Sequence, residues 1–522
     1  MMKNVLMQSA ILSLCLAPTC GAAQIDNSAL LPPVAPDAQV TLEDFSPDWV
    51  KTLIMTQFRI ETATEEGTFA SAVRVLDHYA EMGVNGVWIN PVYERPPSER
   101  YNGYGNFGPH TLSPRLTGTG DIKEGYRVIR DFVRAAHARN IRVIFDIVAW
   151  GVHLDAPLFK ERPEWFIRLE SGEFRQAWGG YLFEWENEEF RQWYFDQAAR
   201  FIEETGADGF RVDLAPERAG YHFRELRELL LRRGHKIMLM AELPSERRGT
   251  YDLDQLGVNG WTEPPNHGNK EIFAEQKKRF GSLHDSTFFF RKNMVDAIRT
   301  GTGIGRPQLQ QQGEGGLFRF YTVSPLFHDG GRPFVQGSRV RFGYLLFSPF
   351  IPVWWIGEEW NNPNDRGGLG GVMFFNIVNW SAMDVPENRA FFEDVKRMIR
   401  VRRQLPELFA HFPPSLRDAN IAKVDSTRDG MPNPLQAYMR YAENKAVLVV
   451  PNHAAEPSAS AFTVEIPWAE GGIEREGLFQ VTDMMTGEVL LRKPAVELNS
   501  FEVRLPAEHL GVYLIERDGS RL

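Results

Sequence analysis

From about residue 50 to residue 410, short apolar runs alternate with longer amphipathic stretches. The runs read as buried strands and the stretches as helices. Residues 53–60 are strand-like, and 69–82 carry apolar positions at helical spacing. Gly86-Val87-Trp88-Ile89-Asn90 is a short buried strand closed by Pro91. A second amphipathic helix is predicted over 122–140, followed by a strand over 141–145 that ends in Asp146. A helix near 188–205, the strand Gly209-Phe210-Arg211-Val212-Asp213, a helix near 222–234 and a strand over 237–241 ending in Glu242 continue the rhythm. Later strand candidates are 318–324 and 351–356. Repeated βα units predict a parallel sheet with helical crossovers, and about eight of them suit a (β/α)8 TIM barrel.

After about residue 410 the period changes. Residues 437–441, 445–450, 461–466, 478–481, 500–505 and 511–516 are short alternating or apolar runs split by turns. They predict a C-terminal antiparallel β-sandwich. The expected organisation is a barrel over 46–410, with a short insertion after strand 3 at 154–187, and the sandwich over 411–522. Gly301-Thr302-Gly303-Ile304-Gly305 resembles a phosphate loop only superficially, because it follows a helical stretch rather than a strand.

The N-terminus reads as an export signal over 1–23. Lys3 supplies the positive start, residues 5–17 are mostly apolar, and Gly21-Ala22-Ala23 offers small residues for cleavage. Residues 24–45, rich in Pro, Asp and Ala, read as a linker. A secreted or periplasmic protein is expected, with lipid attachment at Cys20 as the rival reading. Cys15 and Cys20 are the only cysteines, so a chain cut after Ala23 has no thiol. The apolar run is too short for a membrane span and no other candidate follows. A net charge of −10 argues against nucleic acid or an anionic membrane as partner. The sequence fixes no oligomeric state.

The chemistry concentrates at strand ends. On 209–213, pleating sends Phe210 and Val212 to one face and Arg211 and Asp213 to the other. A charged pair at the tip of a buried strand is costly unless it does chemistry or forms a fixed ion pair. Glu242 follows one βα unit later, so it shares the same face of the sheet. A third acidic tip, His328-Asp329, follows the strand over 318–324. Two carboxylates flanking one bond suggest glycoside hydrolysis.

These motifs resemble the α-amylase family, glycoside hydrolase family 13. Gly209-Phe210-Arg211-Val212-Asp213 is similar to that family's nucleophile motif, Glu242 to its acid/base, and His328-Asp329 to its transition-state-stabilising aspartate with the preceding histidine. Asp146 matches the start of its early motif, and Asn102-Gly103-Tyr104 the segment whose tyrosine stacks on the sugar. Residues 351–359 look like its late strand, with Trp354 and Trp355 filling the barrel and Glu358 and Glu359 capping a loop. The resemblance implies a retaining α-glycosidase acting on α-glucans or maltooligosaccharides, with Asp213, Glu242 and Asp329 catalytic. Arg211 is expected to keep Asp213 ionised, since a nearby cation lowers a carboxylate pKa. His328, Tyr104, Asp146, His153 and Trp150 complete the expected substrate-binding set.

Two departures matter. The family's early motif continues to an Asn-His pair where this chain has Trp150 and Gly151, with His153 two positions late. That asparagine often serves a structural calcium, so no cofactor or metal is expected and calcium is doubtful. Trp150 either walls the cleft or is buried packing. Pro216-Glu217 stands where many members carry Lys-His. Within the insertion, Trp165, Trp178-Gly179-Gly180 and Tyr181 fit either sugar platforms or packing. The same catalytic residues also serve a transglycosylase or an α-glucoside isomerase. A non-catalytic glycan-binding scaffold on the same fold is the rival of another class.

Overall fold

The computed structural model describes residues 46–97, 103–213, 222–242, 252–256, 295–296, 320–323, 338–363, 375–410, 418–433, 435–452 and 459–519. In chain order the strands of its first part are β1 (Met55–Phe58), β2 (Gly86–Ile89), β3 (Arg142–Val148), β4 (Gly151–His153), β5 (Gln176–Ala177), β6 (Gly180–Leu182), β7 (Gly209–Asp213), β8 (Met238–Ala241), β9 (Leu253–Leu256), β10 (Phe320–Val323) and β11 (Ile351–Trp355). Eight of them close a parallel barrel in the order β1-β2-β3-β7-β8-β9-β10-β11, with β11 pairing back to β1. Helices α1 (Phe69–Met82), α2 (Ile122–His137), α3 (Glu188–Thr205), α4 (Phe223–Arg232), α5 (Ser338–Phe347) and α6 (Pro386–Gln404) lie between or after them.

Local chemistry sets these boundaries. Thr68 and Ser71 form a reciprocal capping box at the start of α1, and Gly83 closes it in the left-handed conformation. Asp121 and Asn187 accept the orphan N–H groups that open α2 and α3. At Gly209 a Cβ would lie 2.1 Å from the Met238 carbonyl oxygen, so only glycine lets β7 and β8 approach there.

Alternation divides the strand residues into two sets. Val143, Phe145, Ile147, Phe210, Val212, Leu239 and Ala241 join the large apolar cluster shared with the helices. Met55, Trp88, Ile144, Met238, Met240, Ile351 and Val353 form a separate cluster inside the barrel. By the same alternation Gln57, Asp146, Arg211 and Asp213 face the interior, above that apolar floor. The sequence expected Trp354 to fill the barrel. Its ring instead packs outside against Phe342 of α5, at 5.6 Å between centroids. Glu358 and Glu359 do cap the loop after β11, accepting from Trp355 N–H, Gly357 N–H and the Trp354 indole.

The insertion begins earlier than expected, at β4, and forms a three-stranded antiparallel sheet in the order β4-β6-β5. Trp165 is buried beside Phe190 and Trp193, and Tyr181 stacks on Phe159 at 3.6 Å between centroids. Both are packing. Beyond the barrel, a six-stranded and a four-stranded antiparallel sheet enclose a second apolar core that includes Met439, Leu448, Phe462, Val464, Phe479 and Phe501. The outer face of the larger sheet packs on the barrel side, where Tyr438 meets Tyr344 of α5. The strands at Leu253–Leu256, Ile421–Val424 and Val489–Pro494 were not legible in the sequence pattern. Among the described residues no helix is long and apolar enough to cross a membrane.

Candidate active site

Arg211 is the hub of the site. It is 1 % exposed and extends from the middle of β7 at the C-terminal end of the barrel. Its Nη1 donates to Asp146 Oδ1 at 2.9 Å and to Asp213 Oδ1 at 2.5 Å. Its Nη2 lies 3.3 Å from Glu242 Oε2. Register explains the convergence: Asp146 on β3 pairs with Arg211, and Val148 pairs with Asp213. On the other side Val212 pairs with Ala241, and the Glu242 N–H donates to the Val212 carbonyl at 3.2 Å. Three neighbouring parallel strands thus deliver three carboxylates to one guanidinium.

Asp146 was expected to end its strand. The strand runs two residues further, to Val148, which places the carboxylate below the rim with no exposed surface. Besides Arg211, it accepts from the Trp88 indole at 2.8 Å and from the Tyr104 hydroxyl at 2.6 Å. Asp146 therefore positions Arg211 and Tyr104. A buried anion bonded on every side is a rigid anchor. Burial and the Asp146 charge raise the Tyr104 pKa well above that of an ordinary phenol, which keeps its proton in that bond.

Gln57, Trp88 and Asn90 extend this network and were not singled out from the sequence. Gln57 donates to Asn90 at 3.0 Å, and the Arg211 guanidinium carbon lies 5.0 Å from the Trp88 ring centre. The available signal was a polar Gln57 at an inward position of a fully buried strand. Trp150 is buried and clusters with Tyr104 and Val148. It presents an indole where the expected calcium ligand would need an oxygen. No group of three His, Cys, Asp or Glu side chains suited to a metal occurs among the described residues. His153 lies on β4, and its ring is engaged by the Asp155 N–H and carboxylate rather than by the Arg211 cluster. His328, Asp329 and Asn102 lie outside the described residues.

Asp213 was expected to be held ionised by Arg211, and here the balance runs the other way. Burial first, and the Glu242 charge second, push its carboxyl well above the usual range against the pull of Arg211. Arg211 Nη1 lies closer to Asp213, at 2.5 Å, than Nη2 does to Glu242, at 3.3 Å, and the Glu242 side chain is the more exposed of the two, 20 % against 8 %. Glycoside cleavage calls for two carboxyl groups in such proximity, one acting as a carboxylate and the other as an acid.

This pairing has a measurable sign. A group whose pKa is raised in the folded state stabilises the fold in acid, and that contribution is lost as pH rises through the folded value. Chemistry that needs ionised Asp213 runs in the opposite direction and fails as pH falls through the same value. The acid limb of the pH–rate profile is expected well above the ordinary aspartate value of 3.8. Glu242→Gln removes the second cause of the shift. Its acid limb, measured with an α-glycosyl fluoride that needs no acid assistance, should move to lower pH. An unmoved limb would separate the two groups.

No family model matches the chain. It is 24 % identical over 471 residues to α-amylase MalA of Haloarcula japonica, across 85 % of this chain and 59 % of that protein. It is 30 % identical over 385 residues to malto-oligosyltrehalose trehalohydrolase of Arthrobacter ramosus, across 64 % of each chain. It therefore spans less than two thirds of the length of these relatives. Among solved structures, the noncanonic maltogenic α-amylase AmyB of Thermotoga neapolitana has the same fold. The TM-score is 0.65 at 17 % identity, over 90 % of this chain and 99 % of that one.

Proposed function

Because the chain belongs to the α-amylase family, glycoside hydrolase family 13, we propose that it is a retaining α-glycosidase acting on α-glucans or maltooligosaccharides. The observation that carries this reading is the single Arg211 guanidinium bound to Asp213 and facing Glu242. Carboxyls held on adjacent nitrogens of one cation suit the separation of about 5–5.5 Å that retaining chemistry uses.

Asp213 attacks the anomeric carbon while Glu242 gives its proton to the departing glycosidic oxygen. The carbon–oxygen bond to the leaving sugar breaks as the Asp213 ester forms. Glu242, now ionised, takes a proton from water, and the resulting hydroxide displaces Asp213 from the same carbon. Two inversions return the original anomer. In this reading Asp329 stabilises the cationic transition state and His328 bonds the same sugar. Lys3, the apolar run after it and Gly21-Ala22-Ala23 support export of the protein from the cytoplasm.

Digestion of maltoheptaose with anomer-resolved detection of the products tests the reading. The expected result is release of reducing ends in the α configuration, with no product longer than the substrate. β-Configured products would contradict a retaining mechanism, and longer products would make the protein a transglycosylase.

A further inference from the structure

The β5–β6 hairpin carries a tryptophan that neither turn chemistry nor packing explains. Ala177 pairs with Gly180, so the hairpin closes over two residues, Trp178 and Gly179. Both have positive φ, +49° and +80°. This is the backbone of a type I′ turn, for which Asn-Gly is the favoured pair. A bulky aromatic in the left-handed region is a true outlier and needs a compensating reason. Burial does not supply it, because Trp178 is 66 % exposed.

What the ring touches points to a use. Its edge meets Trp150 at 5.6 Å between centroids. Trp150 is fixed in turn: its ring lies over Gly180, where a Cβ would come within 2.7 Å of it. It packs with Tyr104 and Val148, and Tyr104 lies against the Arg211 guanidinium, 5.7 Å from its ring centre. The β4 strand is also tied to the Tyr104 loop, through the His153 N–H and the Asn106 carbonyl at 2.9 Å. Tyr104, Trp150 and Trp178 therefore make a continuous line of rings from Arg211 to open solvent.

We propose that Trp178 is a stacking platform for a sugar unit beyond the one being cleaved, and that it makes the site select oligosaccharides over small glucosides. The proposal rests on the glycosidase reading above and deepens it. A pyranose presents a face of C–H groups that suits the electron-rich face of an indole, while its hydroxyls stay hydrated. Such a contact requires an exposed ring, and Trp178 provides one.

The test is Trp178→Asn, which installs the residue the turn prefers and should leave the melting temperature equal or higher. KM and the calorimetric dissociation constant for maltoheptaose should both rise about tenfold, and kcat/KM for a small aryl α-glucoside should stay within about twofold. Trp178→Phe should retain most of the maltoheptaose affinity. Maltoheptaose constants unchanged in Trp178→Asn would overturn the platform. If the wild type cleaves neither substrate yet its affinity for maltoheptaose falls in the variant, the platform stands and the hydrolase reading fails. A wild type that neither cleaves nor binds maltoheptaose overturns both.

Discussion

Asp213→Asn is expected to lower kcat on maltoheptaose by at least about 10⁴-fold while leaving a folded protein. The substitution keeps the shape of the side chain, and the amide oxygen can still accept from Arg211 Nη1, which now bonds Asp213 at 2.5 Å. What disappears is the negative charge and the lone pair that form the glycosyl ester. Stability should hold or rise, because the buried carboxyl is penalised by burial and by Glu242 in the folded state. Turnover and thermal unfolding of the same preparation separate the two effects. Retained turnover within about tenfold of wild type would remove Asp213 from the reaction.

Arg211→Met is expected to destabilise the fold by about 3–5 kcal/mol near neutral pH. The side chain is 1 % exposed and faces Asp146, Asp213 and Glu242 together. Removing it leaves buried carboxylates without their cation, and they cannot all ionise at close range. The loss should shrink in mild acid as the carboxyls take up protons, so denaturant titrations at two pH values report it directly. Arg211→Lys should recover part of the stability and little activity, since an ammonium cannot reproduce the fork that holds two carboxylates at once. A loss below about 1 kcal/mol in Arg211→Met would show that the carboxylates do not depend on this residue.

Much of this site could be read in advance from strand chemistry. The alternation Phe210/Val212 against Arg211/Asp213, and Glu242 one βα unit later, needed only the two-residue period of a strand and the rule that parallel strands end on one face. The depth of Asp146 was not legible. A strand that continues two residues past a carboxylate looks the same in sequence as one that stops there, yet it converts a rim residue into a buried anchor. The Trp88 indole bond was hidden for a related reason. A tryptophan in an apolar strand reads as core, and only the closing of the barrel turns its N–H toward Asp146. The direction of the Asp213 shift depended on burial and Glu242 together outweighing Arg211, a balance that spacing along the chain does not carry. The strand Leu253–Leu256 escaped because its four residues include Asp254 and Gln255, which break the apolar run.

Incubation of the wild-type protein with an activated 2-deoxy-2-fluoro-α-glucosyl donor, followed by mass spectrometry of its peptides, tests the central claim most directly. Slow decay of a fluorinated glycosyl ester should leave one sugar attached to the peptide that contains Asp213, and the label should be absent in Asp213→Asn. A protein that consumes the donor without acquiring the label, or that carries it on another carboxylate, would contradict the assignment of Asp213 as nucleophile.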